Sequence, residues 1–187
     1  MRFVVIYDAC VLYPAPLRDF LIRLARTNLF SAKWTDHIHD EWIRNLSARR
    51  PEIAERLQRT RELMDRAVPD CLVQGYEPLV EGLELPDRDD RHVLAAAIRA
   101  GAQAIVTFNL KDFPESSLAR FDLEALHPDV FAEQQMNLAE GAVLRAAKEA
   151  RIALRDPEVD PDSYIDTLQK QGLVVTAQRL REFSHLI

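Results

Sequence analysis

Cysteine is scarce in this chain, and the two that occur, Cys10 and Cys71, show no metal-type spacing. A disulfide framework and a thiolate zinc site are thereby excluded, and both residues read as reduced thiols of a cytosolic protein. Long apolar runs are missing as well. The stretch Phe3 to Tyr7 stops at Asp8, far short of a signal-peptide core, and no later run has the length to cross a bilayer. Secretion and membrane insertion are not expected, and the expected location is cytoplasmic. There is neither an internal repeat nor a low-complexity tract. A positive net charge is lacking too: the formal charge is −6, which would disfavour unspecific attachment to nucleic acid if it were spread evenly. It is not. From Arg44 to Arg66 seven arginines stand against four acids, Glu52, Glu55, Glu62 and Asp65. An acidic protein with such a basic arm can still meet a polyanion.

What is present suits one folded domain with a full core and a small appendage. The chain has 187 residues, 48% hydrophobic and 29% charged, which argues against wholesale disorder. Residues 3–7 are apolar, β-branched or aromatic, as in a parallel strand covered on both faces. Leu17, Phe20, Leu21, Leu24 and Ala25 recur at helical spacing. A short strand is expected over 30–34, then a helix capped by Thr35 or Asp36 whose apolar face is Ile38, Trp42, Ile43 and Leu46, with Glu41 on its flank. Residues 52–67 form a further helix ended by Pro69, Cys71 to Val73 a brief strand, and 76–85 a short helix or loop. Asp87 to Asp90 open a helix that Gly101 stops. Strands are expected over 104–108 and 121–126, and a short helix over 128–136. Helical segments over 138–154, 161–171 and 174–186 close the chain. The predicted division is therefore 1–137 for an α/β domain and 138–187 for a small all-helical extension.

Four acidic stations punctuate this pattern: Asp8, Glu41, the triplet Asp87, Asp89 and Asp90, and Asp112. Each sits where a strand ends or a helix begins. In a parallel α/β sheet such points share the carboxyl edge of the strands, so distant residues converge on one cleft. Converging carboxylates repel, and without a cation at least one is driven to hold a proton. All-oxygen ligation selects Mg²⁺ or Mn²⁺.

The opening Val5-Ile6-Tyr7-Asp8, the helix-borne Glu41, the segment Asp87 to Ala97 and the later Thr107-Phe108-Asn109-Leu110-Lys111-Asp112-Phe113 together resemble PIN-domain nucleases, and within them the VapC-like toxins of bacterial toxin–antitoxin pairs. The resemblance covers roughly residues 3–130. It implies a three-layer α/β/α fold with a central parallel sheet, and metal-dependent hydrolysis of RNA to a 5′-phosphate and a 3′-hydroxyl. It also implies a cognate antitoxin and a homodimer. On its pattern Asp8, Glu41, Asp90 and Asp112 are the catalytic acids. Asp8 and Asp90 touch the metal, while Glu41 and Asp112 act through water. Thr107, Asn109 and Asp87 are auxiliary, with Thr107 steadying Asp8 or the phosphate. Asn109 departs from the pattern, since many relatives carry Asp there. Arg44, Arg49 and Arg50 are candidate contacts to the RNA backbone.

Plainer roles exist for each residue alone. Asp8 satisfies backbone amides after a strand in many proteins, and Asp89 or Asp90 can simply cap a helix. Asn109 suits a turn as well as a site. His37 and His39 alternate along a helix and are expected on the solvated surface, His92 faces solvent or pairs with a carboxylate, and Trp34 and Trp42 belong to the core. Two other functions compete with hydrolysis of RNA. One is a PIN-like module that binds RNA or a partner with little turnover, to which Asn109 and the tail point. The other, ranked last, is an Asp-x-Asp phosphatase or receiver, because Cys10 stands where the second carboxylate would be.

Overall fold

The computed structural model describes residues 2–187. Its strands are β1 (Val4–Tyr7), β2 (Ser31–Lys33), β3 (Ala104–Val106) and β4 (Glu124–Leu126). They pair in the order β2-β1-β3-β4, all parallel, with Val5 opposite Ala32, Ile6 opposite Ile105 and Val106 opposite Leu126. Val5, Ile6, Tyr7, Ala104, Ile105 and Val106 are wholly buried, which is why these strands read as continuous apolar runs rather than alternating ones. Flanking helices complete the α/β arrangement predicted from the sequence. The expected strand at Cys71 to Val73 is a single bridge from Trp34 to Leu72, held by Trp34 N–H to Cys71 O and Val73 N–H to Trp34 O, each 2.9 Å.

The helices are α1 (Ala9–Leu12), α2 (Ala15–Ala25), α3 (Asp36–Arg49), α4 (Ala54–Ala67), α5 (Glu77–Val80), α6 (Arg91–Ala100), α7 (Glu115–Leu118), α8 (Pro128–Ile152), α9 (Pro161–Lys170) and α10 (Val174–Glu182). Their ends follow capping chemistry. Thr35 accepts the Ile38 amide at the start of α3, and Gly101, in the left-handed region at φ 61°, ends α6. No described helix is long and apolar enough to cross a membrane.

Contacts group the described chain into two compact units, residues 2–13 with 30–127, and residues 14–29 with 128–187. This differs from the division expected at 137 and 138, for two reasons. The apolar face of α2 packs on α8 and α9, with the Leu17 amide bonded to Gln171 Oε1 at 2.8 Å. In addition, the helices expected over 128–136 and 138–154 join as α8, broken only by a kink at Ala139 (φ −156°, ψ 72°). In this second unit Asp129 is buried and accepts the amides of Val175 (2.8 Å) and Thr176 (2.9 Å) at the start of α10, while Asp160 caps α9.

In the first unit Tyr7 stacks on Trp34 with ring centroids 6.3 Å apart, and Trp34 Nε1 donates to Asp65 Oδ1 at 2.9 Å. His39 belongs to this cluster. Its Nε2 stands 2.9 Å from Asp65 Oδ1, and its Nδ1 accepts from Trp42 Nε1 at 3.0 Å, so it is fully buried and not at the solvated surface expected from its spacing. The reason is the helical face: His39 lies one residue from Ile38, on the side that packs against α4, whereas His37 points away.

Candidate active site

From β1 the chain proceeds to β2 on one side, while β3 lies against the other side of β1. The crevice at the carboxyl ends of β1 and β3 is therefore the topological switch point, where open α/β sheets bind ligands. Asp8 follows β1 directly, and its N–H extends the ladder to Val106 O at 3.1 Å. Its side chain is 2% exposed. One oxygen accepts the Ala9 amide at 2.7 Å, and the other accepts the Thr107 hydroxyl at 2.7 Å and the Cys10 thiol at 3.1 Å. Burial nevertheless pushes the Asp8 carboxyl upward, with Glu41 adding to the rise and the three hydrogen bonds opposing it.

Thr107 joins the two strand ends. While its hydroxyl donates to Asp8, its oxygen accepts the Asn109 amide at 2.9 Å. Asn109 thus contributes backbone to the knot, and its side chain is exposed. The Phe108 amide meets Cys10 Sγ at 3.3 Å. Burial, then the charge of Asp8, pushes the Cys10 thiol far up, so it stays protonated and acts as a donor to the carboxylate. Sequence reasoning gave Cys10 no part in the site. The signal that could have found it is its place two residues after Asp8, in the first turn of α1.

Asp90 occupies the N-cap position of α6, but its side chain makes no capping bond. The carboxyl is pushed up to about 7, first by burial and then by the charges of Asp8, Asp87, Asp112 and Glu41. Five carboxylates, from all four acidic stations, therefore share one electrostatic neighbourhood. Asp87 is also tied locally, accepting the Asp89 amide at 2.8 Å. Glu41, on α3, faces His92 of α6, with Oε2 3.4 Å from Nε2. His92 is 5% exposed, so of its two expected placements the structure shows the one beside a carboxylate.

The arginines are less convergent. Arg44 is exposed one turn beyond Glu41 and acts electrostatically on His37. Arg49 bonds the Tyr13 hydroxyl and Arg50 pairs with Glu52 at 2.9 Å. Both lie roughly 12 Å or more along α3 from Glu41.

The PIN domain family model matches residues 4–111, more than half of the chain. The chain belongs to the PIN-domain family. The match contains Asp8, Glu41, Asp87, Asp90, Thr107 and Asn109, and stops one residue before Asp112. Residues 128–182 match the VapC50 C-terminal domain, so this PIN protein is VapC-like and carries a C-terminal extension of that kind. A relative in Mycobacterium tuberculosis (strain ATCC 25618 / H37Rv), named "Putative ribonuclease VapC50", is 39% identical over 109 residues, 58% of this chain and 64% of the relative. The matched stretch thus spans less than two thirds of that relative. No solved structure matches the chain significantly.

In this PIN domain no three His, Cys, Asp or Glu side chains among the described residues stand close enough to form a ready metal cage. The donor set nonetheless fits a hard divalent cation. Asp8, Glu41, Asp90 and Asp112 offer only oxygen, and the upward pressure on Asp8 and Asp90 is what a nearby positive charge relieves.

Proposed function

We propose that this chain is a Mg²⁺- or Mn²⁺-dependent endoribonuclease, the toxin of a type II toxin–antitoxin pair, acting in the cytoplasm. The observation that carries the proposal is Asp8, buried at the β1–β3 switch point and tied to Thr107, within electrostatic reach of Glu41 and of Asp90, which itself feels Asp8, Asp87, Asp112 and Glu41. Asp8 and Asp90 would hold the ion directly. Glu41 and Asp112 would reach it through water, in keeping with the hydration that Mg²⁺ retains. When bound, the ion supplies charge compensation for the phosphoryl oxygens and a more acidic attacking water.

The chain's own residues do the rest. Thr107 and Cys10, both donating toward Asp8 Oδ2, fix that carboxylate and leave its direction little freedom. Glu41 is only partly exposed and orients the attacking water while accepting its proton. Asp90, free of capping duty, faces the cleft charge. Arg44, exposed and one helical turn from Glu41, takes the RNA backbone, with Arg49 and Arg50 further along the same helix. The relative's printed name supports RNA as the substrate, and the toxin role brings with it a cognate antitoxin and a homodimer.

The test is cleavage of labelled RNA with Mn²⁺. Wild type cleaves, and Asp8→Ala and Asp90→Ala do not. Equal cleavage by both variants would remove the site assignment. A second reading, binding of RNA or a partner with little turnover, is favoured by Asn109, whose exposed amide brings no charge to the carboxyl edge. Retention of labelled RNA by wild type without cleavage at any Mn²⁺ concentration would favour it.

A further inference from the structure

His92 stands outside the set of acids, and three observations single it out. It is 5% exposed in a helix segment whose next residues, Val93 to Ala97, are wholly buried. Its Nε2 faces Glu41 Oε2 at 3.4 Å, while its Nδ1 is buried and meets no hydrogen-bond partner among the described residues. The exposed His37 ring lies flat on it, centroids 3.8 Å apart and planes 21° from parallel.

A residue kept only to fill space here would be apolar, like its neighbours, because a buried polar atom left unpaired is destabilising. A carboxylate accepts and cannot donate, so Nε2 is the ring nitrogen placed to donate to Glu41, while the buried Nδ1 is left unpaired. His37, Glu41 and Arg44 follow one another at helical spacing on α3, so the histidine stack and the carboxylate share one face of that helix. The stack restrains the His92 ring from its open side, and the ring in turn restrains Glu41.

We propose that His92 is a positioning residue, held by the His37 ring, that aims the Glu41 carboxylate into the acidic cleft. The proposal rests on the nuclease reading for the role of Glu41. Outer partners of a metal site are worth about 10- to 100-fold in metal affinity; Glu41, which reaches the ion through water, is such a partner, and His92, which acts through it, belongs at the low end of that range.

The test is a double-mutant cycle in Mn²⁺ affinity, measured by calorimetry on the full chain, with thermal melts to verify folding. His92→Leu is expected to weaken Mn²⁺ binding about tenfold. Glu41→Gln should weaken it as well, and adding His92→Leu to Glu41→Gln should cost nothing further. His92→Gln, which keeps an N–H near the ε position, restores most of the affinity, whereas His92→Asn does not. Additive losses, or equal affinity in the Leu, Asn and Gln variants, would overturn the proposal. The cycle does not depend on cleavage. A wild type that binds Mn²⁺ with the expected coupling but cuts no RNA would therefore sink the nuclease reading alone, and one that binds no Mn²⁺ would sink both.

Discussion

Asp8 and Asp129 are both buried carboxylates that accept backbone amides beside a helix, yet their surroundings differ in kind. Asp129 spends its two oxygens on the amides of Val175 and Thr176 at the start of α10, an arrangement that completes a helix end. Asp8 also caps, through Ala9, but its second oxygen gathers Thr107 from the neighbouring strand end and Cys10 from α1, and its carboxyl feels Glu41. Asp90, near it, does no capping at all and carries the charge of four other acids. Burial alone therefore does not mark a reactive carboxylate. What sets Asp8 and Asp90 apart from Asp129 is crowding by like charge at the carboxyl edge, where the strand order reverses.

This contrast is broken most easily by activity. Asp90→Asn should lower RNA cleavage by about a thousandfold, while Asp129→Asn leaves cleavage per folded molecule near wild type. Similar losses in both would erase the distinction.

Stability should move the other way. Asp129→Ala strands two amides at the start of α10 and is expected to cost about 2 kcal/mol in urea unfolding. A change of only a few tenths would mean that water serves those amides as well.

Asp90 should also show itself in the pH dependence of stability. An unfolded Asp titrates near ~3.9, and folded Asp90 at about 7. Folding thus favours the protonated carboxyl, a contribution complete below the unfolded value and lost as pH rises through 7. Metal-free protein should accordingly lose melting temperature between pH 4 and 7, and Asp90→Asn should flatten that slope. An unchanged slope would place the repulsion elsewhere.

The smallest effect concerns the arginines. Arg44→Ala should reduce the salt dependence of RNA binding by about one counterion. Arg50→Ala, whose charge is already answered by Glu52, should do less.

The Asp8 side of this contrast was legible in the chain, because it depends on local pattern, whereas nothing local marked Asp129. The apolar run ending at Asp8 and the one over 104–108, of which the structure keeps Ala104–Val106, announced parallel strands, and Thr35 and Gly101 announced helix ends. What escaped depends on partners far apart in numbering. Periodicity showed that α2 has an apolar face but not that α8 covers it, and it put His39 on the surface although Asp65 and Trp42 bury it. The thiol of Cys10 and the ring of His92 gain meaning only from Thr107 and Glu41, side chains that folding brings beside them.

Calorimetric titration of Mn²⁺ into wild type, Asp90→Asn and Asp129→Asn tests the central claim most directly. Wild type and Asp129→Asn should bind, with binding lost or strongly weakened in Asp90→Asn. Equal binding by all three, or none by wild type, would contradict it.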